Sequence, residues 1–281
     1  MKSVEVHKIV QGMKNSLFKR ANSFSIGMLK SHFRGTGLKF KEHQVYVHGD
    51  DVRFIDWKMV AKTNTPYIKT FEEERNVEIT ILLDCSPGMV IGHNGVSKIQ
   101  AAFEIISLLY LLSEKTHDYI ETIICLNDKV VRVQKKRGEA GLVAFVDSLR
   151  KSKVIDENGE VNTEFLVNQK ERNFAKFDKE LVREFYKKRE VVILSDFYEF
   201  LSPETLKRLT VRRHVHAFRL LTPLDTSDEF RFTLVGRIAG KGSGRVNTRF
   251  KGKNEKLDYD FRLKDIDVSD RYLDVFVKEM L

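Results

Sequence analysis

The chain has 281 residues, 42% of them hydrophobic and 32% charged, with two cysteines and a formal net charge of +9. That length can bury a sizeable core. The two cysteines, in strand-like apolar text, exclude a disulfide framework or zinc ribbon and suit a reducing, cytoplasmic compartment. Basic residues are interleaved with acids along nearly the whole chain, the pattern of a solvated surface, so nucleic acid is not the expected partner.

Residues 1–34 carry a helical pattern, with Val4, Ile9, Val10, Met13 and Leu17 spaced for one face. The stretch lacks the uninterrupted apolar core of a signal peptide. "RGTGLKF" then breaks the helix, and residues 35–76 read as a small β-rich appendage. Its strands, "LKFKEHQVYV" and "PYIKTFEEE", flank a Gly49-Asp50-Asp51 turn. The text changes again for residues 77–281. "VEITILLD" is a continuous apolar strand of the kind covered on both faces. "SKIQAAFEIISLLYLLSEKTHD" follows as a helix with Ser97 at its N-cap. It is too short to span a membrane, which needs about 20 apolar residues; peripheral association stays open.

"YIETIICL" and "KVVRVQ" are strands joined at Asn127-Asp128, a tight hairpin. Helical stretches near 139–151 and 174–188 bracket a polar loop from Lys153 to Thr163. "EVVILSD" is a second fully buried strand, "SPETLKRL" opens a helix, "HVHAFRLL" and "RFTLVGRI" are further strands, and "DVSDRYLDVFVKEML" closes the chain as an amphipathic helix. Buried strands alternating with helices imply an α/β fold with a doubly wound, mostly parallel, Rossmann-like sheet.

Ligands bind such sheets outside the carboxyl ends of the strands. Two strands end there in acids, Asp84 and Asp196, and Ser86 follows Asp84 by two residues. A hard divalent cation takes oxygen ligands of this kind; the plainer alternative is that the acids cap helices and order loops. Catalysis finds little support. A strand-end aspartate could accept a phosphoryl group, but position 86 offers a serine where a second carboxylate would assist. No histidine (His93, His117, His214, His216) is placed to activate a serine, and "GKGSGR" lacks the strand and helix of a phosphate loop.

The α/β portion resembles a von Willebrand factor A domain, whose metal-ion-dependent adhesion site reads Asp-x-Ser-x-Ser after the first strand. A middle-loop Thr and an Asp after the fourth strand complete that site. "YVHGDDVRFIDWKMVAK" resembles the signature of the bacterial domain-of-unknown-function family 58. The matching residues are Tyr46, Gly49, Asp50, Asp51, Arg53, Ile55, Asp56, Trp57, Ala61 and Lys62. The likeness covers residues 35 to 225. It implies a non-enzymatic adaptor acting with a MoxR-type AAA+ ATPase, and Mg²⁺ or another divalent cation on Asp84, Ser86 and Asp196. Thr163 is the middle-loop candidate by order alone. Gln44 stands where the family has Arg, and Gly88 replaces the second serine. A metal-dependent hydrolase or nuclease using Asp84 and Asp196 is the alternative.

The signature also has a physical reading. Gly49 suits a turn, Asp50 or Asp51 can accept the exposed amides, and Arg53 can pair with a carboxylate. The favoured expectation is a latch in which Arg53 and Asp56 crosslink the appendage and Trp57 wedges it against the body. The other is that these groups, with Glu72 to Glu74, face a partner.

Overall fold

The structure, a computed structural model, describes residues 2–20, 38–47, 50–73, 77–185, 190–226, 229–238, 242–251 and 263–280. Gly49 and Glu74, and residues 21–34 of the expected N-terminal helix, lie outside them. Helix α1 (Lys2–Arg20) lays Val6, Ile9, Val10 and Leu17 into the main core.

The appendage pairs β1 (Leu38–Val45) with β2 (Tyr67–Glu73) antiparallel, Val45 opposite Tyr67. The segment between them is more than a turn. A 3₁₀ turn over Val52–Phe54 leads into helix α2 (Trp57–Thr63). Asp56 caps α2 by accepting the amides of Lys58 and Met59, and Asn64 ends it at a left-handed φ of 57°. This capping makes a short helix out of a stretch that alternation reads as loop.

The α/β body begins with β3 (Glu78–Asp84) and helix α3 (Lys98–Thr116), where the Ser97 hydroxyl accepts the amide of Gln100. β4 (Tyr119–Cys125) and the short antiparallel β5 (Val130–Arg132) form the expected hairpin. Helices α4 (Gly138–Lys151), α5 (Thr163–Val167) and α6 (Phe174–Phe185) precede β6 (Glu190–Ser195) and α7 (Pro203–Thr210). β7 (Val215–Leu221) and a single helical turn, α8 (Pro223–Thr226), come next.

β8 (Glu229–Ile238) does not join the main sheet. It pairs along its length with β9 (Gly242–Lys251) as a separate antiparallel hairpin. The sheet's last strand is β10 (Leu263–Asp267), followed by α9 (Tyr272–Met280).

The six strands lie in the order β10-β7-β6-β3-β4-β5, all parallel except β5. In chain order the sheet runs outward from β3 on one side and then outward from β6 on the other, so winding reverses between these neighbours. Alternate residues of both strands enter opposite cores. Ile79, Ile81, Leu83, Val192 and Leu194 pack with α1, α3, α4 and α9, whereas Leu82, Val191 and Ile193 pack with α6 and α7. Each such buried aliphatic side chain contributes roughly 1.5–3 kcal/mol. That burial fixes β3 and β6 side by side and with them the residues at their ends.

Candidate functional site: an ionic cluster at the carboxyl edge of the sheet

Asp84 ends β3, Ser195 ends β6 and Asp196 follows it directly, at the edge where the winding reverses. All three are buried. Asp84 is held on both oxygens. Oδ1 accepts the Ser86 amide at 3.0 Å and the Arg172 guanidinium at 3.0 Å; Oδ2 accepts the Ser86 hydroxyl at 3.0 Å and the Ser195 hydroxyl at 2.7 Å. Four donors on one carboxylate use about all its acceptor capacity.

Arg172 reaches this site from the segment between α5 and α6. Its Nη2 makes the bond to Asp84, while Nη1 donates to the carbonyls of Glu199 and Phe200 at 2.7 and 2.9 Å, and the guanidinium lies 4.3 Å from the Phe177 ring centre. Gln169, in the same segment, donates to the Cys85 carbonyl and accepts the Asn127 amide.

Asp196 meets a different cation. Its Oδ2 accepts from the Lys98 ammonium at 3.3 Å and its Oδ1 from the Tyr198 amide at 3.2 Å. The ammonium also donates to Asp225 Oδ1 at 2.8 Å, and Asp225 Oδ2 in turn accepts the amide and hydroxyl of Thr222. Lys98 is 0% exposed. It stands at the first position of α3, the end of a helix that disfavours a cation, so the two carboxylates facing it are what make the placement tolerable. Burial pushes the Asp196 carboxyl up to about 6, against the pull of Lys98 and with Asp84 adding to the rise.

The loops between these groups are tightly set. Gly88 abuts Asp196, and a Cβ there would lie 2.4 Å from Oδ2. Phe197 takes a left-handed φ of 62°, which a bulky residue adopts only when its surroundings hold it. Its amide donates to Ser195 and its ring packs edge-on to Phe200.

Asp84, Ser86 and Asp196 thus share one rim, while Thr163 does not join them. It opens α5 and lines a groove of about 1050 Å³ with Ile9, Met13, Phe103 and Glu104. Among the described residues no group of three or more His, Cys, Asp or Glu side chains is disposed to hold a metal ion. The donor set does not fit one either: Asp84 is saturated, Asp196 and Asp225 face an ammonium, and position 88 has room for no hydroxyl.

Sequence reading missed Lys98, Arg172, Ser195 and Asp225. One signal existed for Lys98, a cation directly after a helix cap with no acid in the first turn. Nothing in "NQKERNF" marks Arg172.

The appendage signature also departs from expectation. Arg53 pairs with Asp51 two residues away, with a closest approach of 2.6 Å, and not with Asp56. Asp56 joins His43 of β1 at 2.9 Å and Lys69 of β2 at 3.3 Å, tying the appendage's own elements together. Asp50 accepts the Val47 amide, and the Tyr46 amide donates to the Pro66 carbonyl. Trp57 is 70% exposed, so it is not a wedge. A helix cap and contacts to β1 and β2 use Asp56 fully.

Residues 42–231 match the family model described as "Protein of unknown function DUF58". Two relatives, Uncharacterized protein Rv1480 of Mycobacterium tuberculosis and Uncharacterized protein Mb1516 of Mycobacterium bovis, are each 25% identical over 104 residues, which is 37% of this chain and 33% of theirs. The chain therefore spans about a third of the length of the curated relatives it matches. A crystal structure of an aerotolerance-related membrane protein from Bacteroides fragilis is 17% identical, with a TM-score of 0.35 over 62% of this chain and 81% of that one. Among the described residues no helix is long and apolar enough to cross a membrane.

Proposed function

Because the chain belongs to the DUF58 family of proteins of unknown function, we propose that it is a non-enzymatic protein-binding adaptor. In this reading its body is a von Willebrand factor A-like domain, and its partner is a MoxR-type AAA+ ATPase engaged during assembly or maturation of a protein complex. The observation that carries the reading is that the reactive groups at the carboxyl edge are spent on one another. Among the residues facing outward there are Tyr198, 45% exposed beside Asp196, Glu199 next to it, and Ile91, 41% exposed, whose carbonyl accepts the Lys98 amide. An aromatic and an aliphatic side chain over a rigid ionic base suit contact with another protein.

The groups a catalyst would need are engaged elsewhere or suppressed. The hydroxyls of Ser86 and Ser195 both donate to Asp84. His43 bonds Asp56, His117 bonds Arg137 and His216 bonds Glu190. Burial pushes the thiols of Cys85 and Cys125 far up, so neither is a thiolate at neutral pH.

The test is capture from an extract of the native host by the immobilised chain, with Tyr198→Ala beside the wild type. The expected result is an AAA+ ATPase recovered by the wild type and weakened by on the order of tenfold in the variant, the size of a lost aromatic anchor. Mn²⁺-dependent cleavage of DNA or RNA that disappears in Asp196→Ala would replace the adaptor with the hydrolase alternative.

A further inference from the structure

A divalent cation binds where carboxylate and hydroxyl oxygens have lone pairs to spare and no fixed positive charge stands among them. The rim of this sheet fails on both counts. Asp84 has four donors, and Asp196 and Asp225 converge on one ammonium, one from the loop after β6 and the other from α8. We infer that Lys98 is the resident cation of this rim, its ammonium standing in place of a divalent metal and the Arg172 guanidinium completing the charge balance on Asp84.

Two further features follow from that arrangement. Gly88 is more than a missing ligand: a serine Cβ would meet Asp196 Oδ2 at 2.4 Å, so the carboxylate reaches its place beside Lys98 only because position 88 is bare. The cation is also covalently part of the chain, so it cannot be lost by dilution or chelation, and the rim is permanently assembled. The Tyr198 ring, whose centre is 5.6 Å from the ammonium, covers the site. The inference deepens the adaptor reading and rests on it only in one respect: partner capture through this rim is indifferent to EDTA.

The decisive experiment uses the isolated chain and needs no partner, so it stands or falls separately from the adaptor reading. Mn²⁺ is titrated into the protein, with the free ion followed by electron paramagnetic resonance and thermal unfolding measured in EDTA and in excess Mn²⁺. The wild type is expected to leave Mn²⁺ free up to about 1 mM, which spans weak carboxylate sites, and to melt at one temperature in both conditions. Lys98→Ala removes the ammonium and leaves Asp196 Oδ2 and Asp225 Oδ1 facing its space. That variant is expected to melt lower in EDTA. With Mn²⁺ a hundredfold above its dissociation constant it should recover by about 5–10 °C. Mn²⁺ binding to the wild type that Asp196→Asn abolishes would overturn the inference, as would a Lys98→Ala protein as stable in EDTA as the wild type. Should Lys98→Ala fail to fold, the wild-type and Asp196→Asn titrations decide the matter alone.

Discussion

The rim of the sheet and the appendage are assembled from the same ingredients, carboxylates set against Lys, Arg and His, and they differ in where the water is. At the rim, Asp84, Lys98, Arg172 and Asp196 are buried, and each ionic contact joins segments far apart in the chain. In the appendage, Asp51 and Arg53 are two residues apart and the guanidinium side chain is 82% exposed. Water and salt screen the second arrangement, so it orders a turn and does little else. Without that screening, a buried charge left unpaired is costly, so every member of the rim depends on the others. The same chemistry is a buried brace at the rim and, in the Asp51–Arg53 pair, a solvated surface contact. Trp57, Phe54 and Val52 are exposed on the appendage, apolar surface of a kind the ionic rim lacks beyond Tyr198 and Ile91.

The contrast breaks most visibly when one cation is removed from each cluster. Arg172→Met is expected to cost about 3–5 kcal/mol, the loss typical of stranding a buried carboxylate, read as a lower urea midpoint. Arg53→Met should leave the midpoint where it was. Equal effects from the two would mean that burial does not separate the clusters.

Next in size is Gly88→Ala. Asp196 cannot swing away from the new Cβ, because Lys98 and the Tyr198 amide pin it. A cost of about 1–3 kcal/mol is expected from overpacking. In a Lys98→Met background Asp196 is freed to move, so the two losses should add to less than their sum. Strict additivity would show that the close contact at position 88 is relieved in some other way.

The difference between the regions also explains what could be read from sequence. β3 and β6 were legible because an unbroken apolar run has to be covered on both sides, and Asp84, Ser86 and Asp196 came with them as the polar residues at the strand ends. Their partners were not legible. Arg172 sits in a segment without periodicity and acts through contacts 88 residues apart in the chain. Lys98 alone left a trace, a cation at the wrong end of a helix. In the appendage, Asp56 reads as a crosslink and is one, but its partners His43 and Lys69 were not legible, since each lies on a strand that only the folded appendage brings to it. "RFTLVGRI" read as a strand and is one, yet its alternation could not distinguish a place in the main sheet from the local hairpin it makes with β9. β10, five residues with Lys264, Asp265 and Asp267 among them, carried too little apolar signal to stand out.

The last contrast is the pH dependence of stability, in which the two regions pull in opposite directions in separate windows. The Asp56 carboxyl is held below the usual carboxylate range, first by the hydrogen bond with His43 and then by Lys69 and the amides of Met59 and Lys58. A depressed native pKa contributes stability that is fully present above the unfolded value, near about 4, and is lost as pH falls below it. Asp196 behaves in the opposite sense. Burial raises its carboxyl to about 6. Between about 4 and 6 the native chain therefore holds a proton that the unfolded chain has released, and stability declines as pH rises through that window. Asn keeps the shape at either position and can still cap α2 at position 56. As pH rises from 3 to 7, urea midpoints should therefore lose their rise below pH 4 in Asp56→Asn and lose their decline between 4 and 6 in Asp196→Asn. If Asp196→Asn left the decline in place, that slope would have to come from another buried acid, such as Asp118, whose carboxyl burial also raises.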